Sequence, residues 1–174
     1  MGETSRRLAL QALWEKGLAP LVSIPFLWGR TERAEAATPP VTDPHWQLSE
    51  ADWKRRLSPA AFHVLRQHGT EKPFSSPLYE EQRIGQYLCA GCQLPLFASA
   101  TKFDSHTGWP SFWQPLPNAV QTSQDFRLII PRTEYHCRRC GGHQGHVFND
   151  GPRPTGKRYC NNGVALTFQA TKAG

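Results

Sequence analysis

The sequence predicts a mainly β fold, mostly antiparallel, with short helices confined to its N-terminal part. Three observations point there. The 174 residues include 15 Pro and 14 Gly, a composition that breaks a chain into turns and short strands rather than long helices. Beyond Gly69 the apolar pattern changes from helical spacing to short extended runs. Two matched C-x-x-C pairs, Cys89/Cys92 and Cys137/Cys140, fit the short turns of one tetrahedral zinc site that would cross-link two of these segments, since each turn aims two sulfurs at one ion. A chain of this length holds one domain with a short N-terminal appendage.

Taken in order, the appendage comes first. Arg6-Arg7 is followed by an uncharged stretch from Gly17 to Gly29, flanked by Lys16 and Arg30. That stretch is too short to span a bilayer but suits a signal-peptide core, and Ala34-Glu35-Ala36 puts small residues where cleavage requires them. The order resembles a bacterial twin-arginine export signal over residues 1–37 and implies a periplasmic protein beginning near Ala37. Glu15, Lys16, Pro20 and Pro25 count against it, and the alternative is an amphipathic helix on a cytoplasmic protein. The proline-rich residues 38–47 read as linker, and the folded domain is expected over residues 48–170.

Ser49-Glu50-Ala51-Asp52 has capping-box spacing and predicts a short helix to about Leu57. Ser58-Pro59 starts a second helix, with Phe62, Val64 and Leu65 on its apolar side and Gly69 ending it after His68. Phe126–Ile130, closed by Pro131, is the strongest strand candidate. Val164, Leu166 and Phe168 alternate with Ala165 and Thr167, as in a half-buried strand. Shorter strands are expected near Gln86–Cys89, Glu134–Cys137, His146–Phe148 and Arg158–Cys160.

The cysteines carry the chemistry. Four thiolates close the tetrahedron of a zinc ion and leave no position for water or substrate, so one structural zinc per chain is expected through Cys89, Cys92, Cys137 and Cys140. His136 and His143 flank the second pair but are not needed as ligands. The same spacing also admits two disulfides. The net charge of +6 falls by about 2 when four thiolates hold one zinc. The basic residues are scattered apart from Lys54-Arg55-Arg56 and Arg138-Arg139, so no nucleic-acid partner is expected.

Cys160 is left over, with Arg158 two residues before it and Asn162 two after. A thiol attacks at neutral pH when cationic or hydrogen-bond-donating neighbours lower its pKa. His143 and His146 can deliver protons. The turn around Trp109, Phe112 and Trp113 can seat a small apolar group. Each feature also has a structural reading: Trp109 and Phe112 as core, Cys160 as a small buried hydrophobe.

From about Leu48 to Phe168 the chain resembles the type B peptide-methionine (R)-S-oxide reductases. The stretches KFDSHTGWPSFWQPL and CRRCGGHQGHVFNDGPRPTGKRYCNN carry the likeness, together with Cys89 and Cys92. The resemblance implies two antiparallel sheets with a four-cysteine zinc site. It also implies reduction of the R epimer of methionine sulfoxide in oxidised proteins; the chain is expected to be a monomer. Cys160 is then the nucleophile, Trp109 contacts the substrate's S-methyl group and Phe148 completes the apolar wall. His143, His146 and Asn162 organise water and protons at the sulfoxide oxygen. Many relatives carry a resolving cysteine where this chain has Thr107, which implies that the sulfenic acid on Cys160 meets an external reductant, thioredoxin-like or a small thiol. Gln144 and Asn161 stand where apolar residues are usual and Gly163 where serine is. The rival reading is a zinc-ribbon-like interaction module that binds a peptide or protein through Trp109 and Trp113.

Overall fold

The computed structural model describes residues 43–127 and 131–172. The twin-arginine segment, its cleavage site and most of the linker lie outside them, as do residues 128–130. Two helices open the described chain. Helix α1 (Glu50–Arg56) begins at Ser49, whose hydroxyl accepts the Asp52 N–H. Helix α2 (Pro59–Gln67) begins at Ser58 with Pro59 at its first position, where proline's missing N–H costs nothing. It ends one residue earlier than expected: His68, not Gly69, takes the left-handed conformation (φ 56°). Trp53, Phe62, Val64 and Leu65 are buried from these helices.

The strands among the described residues are β1 (Gly85–Cys89), β2 (Pro95–Ala98), β3 (Lys102–Phe103), β4 (Ser111–Phe112), β5 (Val120–Asp125), β6 (Arg132–Cys137), β7 (His143–Phe148), β8 (Arg158–Asn161) and β9 (Leu166–Ala170). They form a three-stranded sheet in the order β2-β1-β9 and a six-stranded sheet in the order β3-β4-β8-β7-β6-β5. Every pairing is antiparallel. The fold is therefore mainly β with two antiparallel sheets and short N-terminal helices. The Phe97 and Phe112 rings stack at 4.2 Å, and Tyr87 meets Phe112 at 4.9 Å. This aromatic core joins a strand of each sheet. No helix among the described residues is long and apolar enough to cross a membrane.

Two strand expectations need correction. Of the strand expected at Phe126–Ile130, residues 128–130 lie outside the described ones; Phe126 and Arg127 are in no strand, and the strand before them is Val120–Asp125. The Asp125 carboxylate accepts the Arg127 N–H and turns the chain out of the ladder, leaving Phe126 72% exposed. The last strand begins at Leu166, not Val164, because residues Gly163–Ala165 form a 3-10 turn. The Glu71 carboxylate accepts the N–H groups of Gly163 and Val164, so those groups are not free to join a sheet.

Candidate active site and metal centre

Both C-x-x-C turns are built alike. In each, the residue after the second cysteine donates its N–H to the first cysteine's carbonyl, Gln93 to Cys89 at 2.8 Å and Gly141 to Cys137 at 2.9 Å. The turns therefore present their sulfurs inward from the ends of β1 and β6, where all four cysteines are buried. Cys89 Sγ lies 3.6 Å from Cys140 Sγ, and Cys92 Sγ lies 3.5 Å from Cys137 Sγ. A disulfide needs about 2.05 Å, so these are not bonded pairs. Four sulfurs at about 2.3 Å from one ion stand about 3.8 Å apart along each edge of the tetrahedron, close to the separations here. All four lie within 4.8 Å of one another. The cluster is positioned to bind a metal ion.

The second site forms where β4, β8 and β7 run side by side. Cys160 on β8 is opposite Ser111 on β4 and opposite His146 on β7. Directly opposed residues put their side chains on the same face of a sheet, so register brings hydroxyl, thiol and imidazole together. β7 and β8 approach closely at Gly145, where a Cβ atom would fall 1.9 Å from the Cys160 carbonyl oxygen. Only glycine fits there. The Thr107 and Ser111 hydroxyls and the Arg158 guanidinium lie around the Cys160 sulfur, and each lowers its pKa. Arg158 is held by Asp150 through two 2.8 Å bonds and lies over the Phe148 ring at 4.3 Å.

A cavity of about 130 Å³ opens beside the thiol, lined in part by Trp109, His146, Phe148, Cys160 and Asn162. It has room for a small group rather than a whole peptide segment. Trp109 is half-buried, and its indole N–H donates to the Glu71 carbonyl at 3.2 Å. Phe112, by contrast, is core. Trp113 is half-buried with its carbonyl taken by Thr155, so Trp109 and Trp113 do not form a freely exposed binding patch.

His143 is not among the cavity-lining side chains. It is buried behind His146, ring centroids 5.5 Å apart, and donates from Nδ1 to Glu134 at 2.8 Å. Glu134 also takes His68 Nδ1 at 2.8 Å. His146 donates from Nε2 to Asp125 at 2.8 Å, and Asp125 is neutralised by Arg132 at 2.7 Å. Asn162 reaches the cavity, but its amide is used by the scaffold, accepting the Glu71 N–H at 3.0 Å and donating to the Gln144 carbonyl at 3.0 Å.

Sequence reasoning missed Glu71, Asp125 and Glu134, which hold Trp109, His146 and His143. Their partners come from other strands or from distant segments, so no local spacing announces them. The electrostatics also differ from expectation. Burial pushes the Cys160 thiol up, against the lowering from Arg158, Thr107 and Ser111. Burial likewise lowers His146, although Asp125 opposes it. Asp125 stays ionised, held far below the usual carboxylate range by the Arg127 N–H and His146. Glu134 does too, because the His143 and His68 bonds outweigh its burial. A neutral His146 thus keeps its proton on Nε2, bonded to Asp125, and leaves Nδ1 as a lone pair.

The SelR domain family matches residues 57–170. The chain is 49% identical to a peptide methionine sulfoxide reductase MsrB of Agrobacterium fabrum, over 74% of this chain and 96% of that one. It is 52% identical to the protein of the same name from Leptospira interrogans, over 70% and 93% of the two chains. With the Methanosarcina barkeri protein of that name the identity is 51%, over 74% and 91%.

Proposed function

The chain belongs to the type B peptide-methionine (R)-S-oxide reductase family, and from that premise we propose that it reduces the R epimer of methionine sulfoxide in oxidised proteins through Cys160. The observation that carries the reading is the meeting of Cys160, His146 and Trp109 at one small cavity. Trp109 and Phe148 hold the substrate's S-methyl group by apolar contact, which orients the sulfoxide oxygen toward His146 for one epimer only.

The two pKa directions fit one proton path. Cys160 starts as a thiol and His146 as a neutral imidazole with Nδ1 free. Nδ1 takes the thiol proton as sulfur attacks sulfur, and the imidazolium, steadied by Asp125, gives it to the departing oxygen. An unprotonated oxide is a very poor leaving group, so the attack requires that transfer. The hydroxide so released then attacks the Cys160 sulfur and breaks the new sulfur–sulfur bond. The substrate leaves as the thioether with that bond's electron pair, and Cys160 is left as sulfenic acid, R–SOH, carrying the oxygen and the proton. His143, through its edge-to-face contact with His146, and Asn162, through Glu71 and Gln144, act as positioning residues.

A first external thiol condenses with the sulfenic acid, expelling water and leaving a mixed disulfide, and a second thiol releases Cys160. The reductant is a thioredoxin-like protein or a small thiol, because Thr107, beside Cys160, carries a hydroxyl rather than a thiol. Cys89, Cys92, Cys137 and Cys140 hold zinc, which in a closed four-thiolate site links the two turns and takes no part in the redox step. The enzyme acts as a monomer. Residues 1–37 serve as a twin-arginine export signal, residues 38–47 as linker and residues 48–170 as the reductase domain.

The test is an assay on the separate R and S epimers of a blocked methionine sulfoxide with dithiothreitol. The R epimer alone should be consumed, and Cys160→Ser should eliminate turnover. Trp109→Ala should lower kcat/KM by about tenfold or more, the scale of a lost apolar contact in a substrate pocket. Equal rates on the two epimers would overturn the reading.

A further inference from the structure

Between the metal cluster and the reactive thiol lies a chain of buried amides. Gln144 on β7 and Asn161 on β8 are both 0% exposed. Gln144 donates from Nε2 to Cys89 Sγ at 3.4 Å. Its Oε1 accepts from Asn161 Nδ2 at 3.4 Å, at the long end for such a bond. Asn161 Nδ2 also donates to the Asn162 carbonyl at 2.8 Å, and its Oδ1 accepts the Tyr135 hydroxyl at 2.7 Å. The Gln144 carbonyl takes both the Asn162 N–H at 2.9 Å and the Asn162 side-chain amide. Gln144 thus touches a thiolate-cluster sulfur with its side chain and the loop after Cys160 with its backbone. Asn161 is the residue directly after Cys160.

Burying two amides is costly unless their polar atoms are bonded. Packing would be served as well by apolar side chains at both positions, since these are interior sites between well-paired strands. What amides add is direction: an N–H aimed at sulfur favours the thiolate form, and the amide-to-amide bond fixes where that N–H points.

We infer that Gln144 and Asn161 are positioning residues forming a relay, through which ligation at Cys89 sets the placement of the strand end that carries Cys160. The inference rests on the reading that the cluster holds zinc and that Cys160 is the reactive thiol. Gln144 lowers the rate at which Cys89 leaves the ion, and Asn161 keeps Gln144 in the orientation that does so. Loosening of the cluster is in turn felt at Cys160.

The experiment follows zinc transfer from the intact chain to a chromophoric chelator, at a temperature well below melting, alongside alkylation of Cys160 by iodoacetamide across pH. Gln144→Leu should speed zinc loss about tenfold or more, the usual size of an outer-shell effect on a metal site. It should also shift the pH profile of Cys160 alkylation. Gln144→Leu alone takes away one of the two acceptors of the buried Asn161 Nδ2, leaving only the Asn162 carbonyl, so its melting temperature should fall. The triple variant Gln144→Leu/Asn161→Leu/Tyr135→Phe removes the polar chain as a unit. Its melting temperature should recover toward the parent value, while its zinc loss stays fast. A merely structural role predicts that the two recover together. Should Gln144→Leu not fold, Gln144→Met keeps the volume and makes the same comparison. Parent-like zinc loss in the variants, or an unmoved alkylation profile, overturns the relay. A parent protein that binds no zinc would instead overturn the reading of the cluster, and the two failures are distinguishable because the parent is assayed first.

Discussion

At the scale of single residues, the site is governed by the competition between burial and a few donors. Cys160 has an arginine and two hydroxyls nearby that favour its thiolate, yet burial wins and holds the thiol above its ordinary pKa. The sign of the pH dependence follows. At neutral pH the free enzyme carries less thiolate than an ordinary cysteine, and alkylation of Cys160 should keep accelerating as pH rises past the usual thiol range. Arg158→Ala removes a charge that favours the thiolate and also frees Asp150. The profile should therefore move further to alkaline pH, with alkylation at neutral pH slowed several-fold. A rate that plateaus below neutrality in the parent, or quickens in Arg158→Ala, would contradict this electrostatic account. The Cys-to-His pair is thereby cast as a proton-sharing couple rather than a preformed thiolate, consistent with a reaction that needs the thiol's proton at the oxygen.

At the scale of elements, the two cysteine turns and the register of β7 against β8 do most of the positioning. The turns fasten the end of β1 in the smaller sheet to the end of β6 in the larger. Replacing any one of Cys89, Cys92, Cys137 or Cys140 by Ala should release the zinc and cost more than about 4 kcal/mol of stability, the range reserved for loss of a metal or comparable feature. Metal analysis and thermal melting check it together, and a metal-free variant with parent-like melting would refute it. The turns, both helix starts and several strands were legible in the sequence because each is announced locally: matched C-x-x-C spacing, Ser49 and Ser58 before helical residues, β-branched and aromatic runs. The missed strands were not. β3 and β4 are two residues long, too short for any alternation, and β5 is polar along most of its length. Phe126 and Arg127 belong by composition to a strand, but the Asp125 carboxylate takes the Arg127 N–H and ends the ladder before them, an acid itself held by Arg132 on β6 and His146 on β7. The same holds for the site. Cys160, His146 and Trp109 were legible as unusual residues in dense motifs, whereas Glu71, Asp125 and Glu134 are ordinary acids whose meaning is their distant partners.

At the scale of the whole molecule, two proposals meet: where the enzyme works and how it is recycled. Four of the five cysteines are committed to the buried cluster, and Thr107 supplies no thiol beside Cys160. A single turnover without reductant should therefore consume one thiol per chain, leave the zinc in place and yield a sulfenic acid that a trapping reagent labels. Loss of two thiols with release of zinc would mean that a cluster cysteine resolves Cys160, and the division of labour among the cysteines would fail. Such an enzyme depends wholly on an external thiol, so its compartment fixes its reductant. The proposed export signal, with Arg6-Arg7, the uncharged stretch to Gly29 and Ala34-Glu35-Ala36 in the required order, would put it in the periplasm. N-terminal sequencing of the protein from its native cell decides the matter: a chain beginning near Ala37 in the periplasmic fraction is expected. An intact Met1 or Gly2 in the cytosol would instead return the enzyme to the small-thiol pool of that compartment.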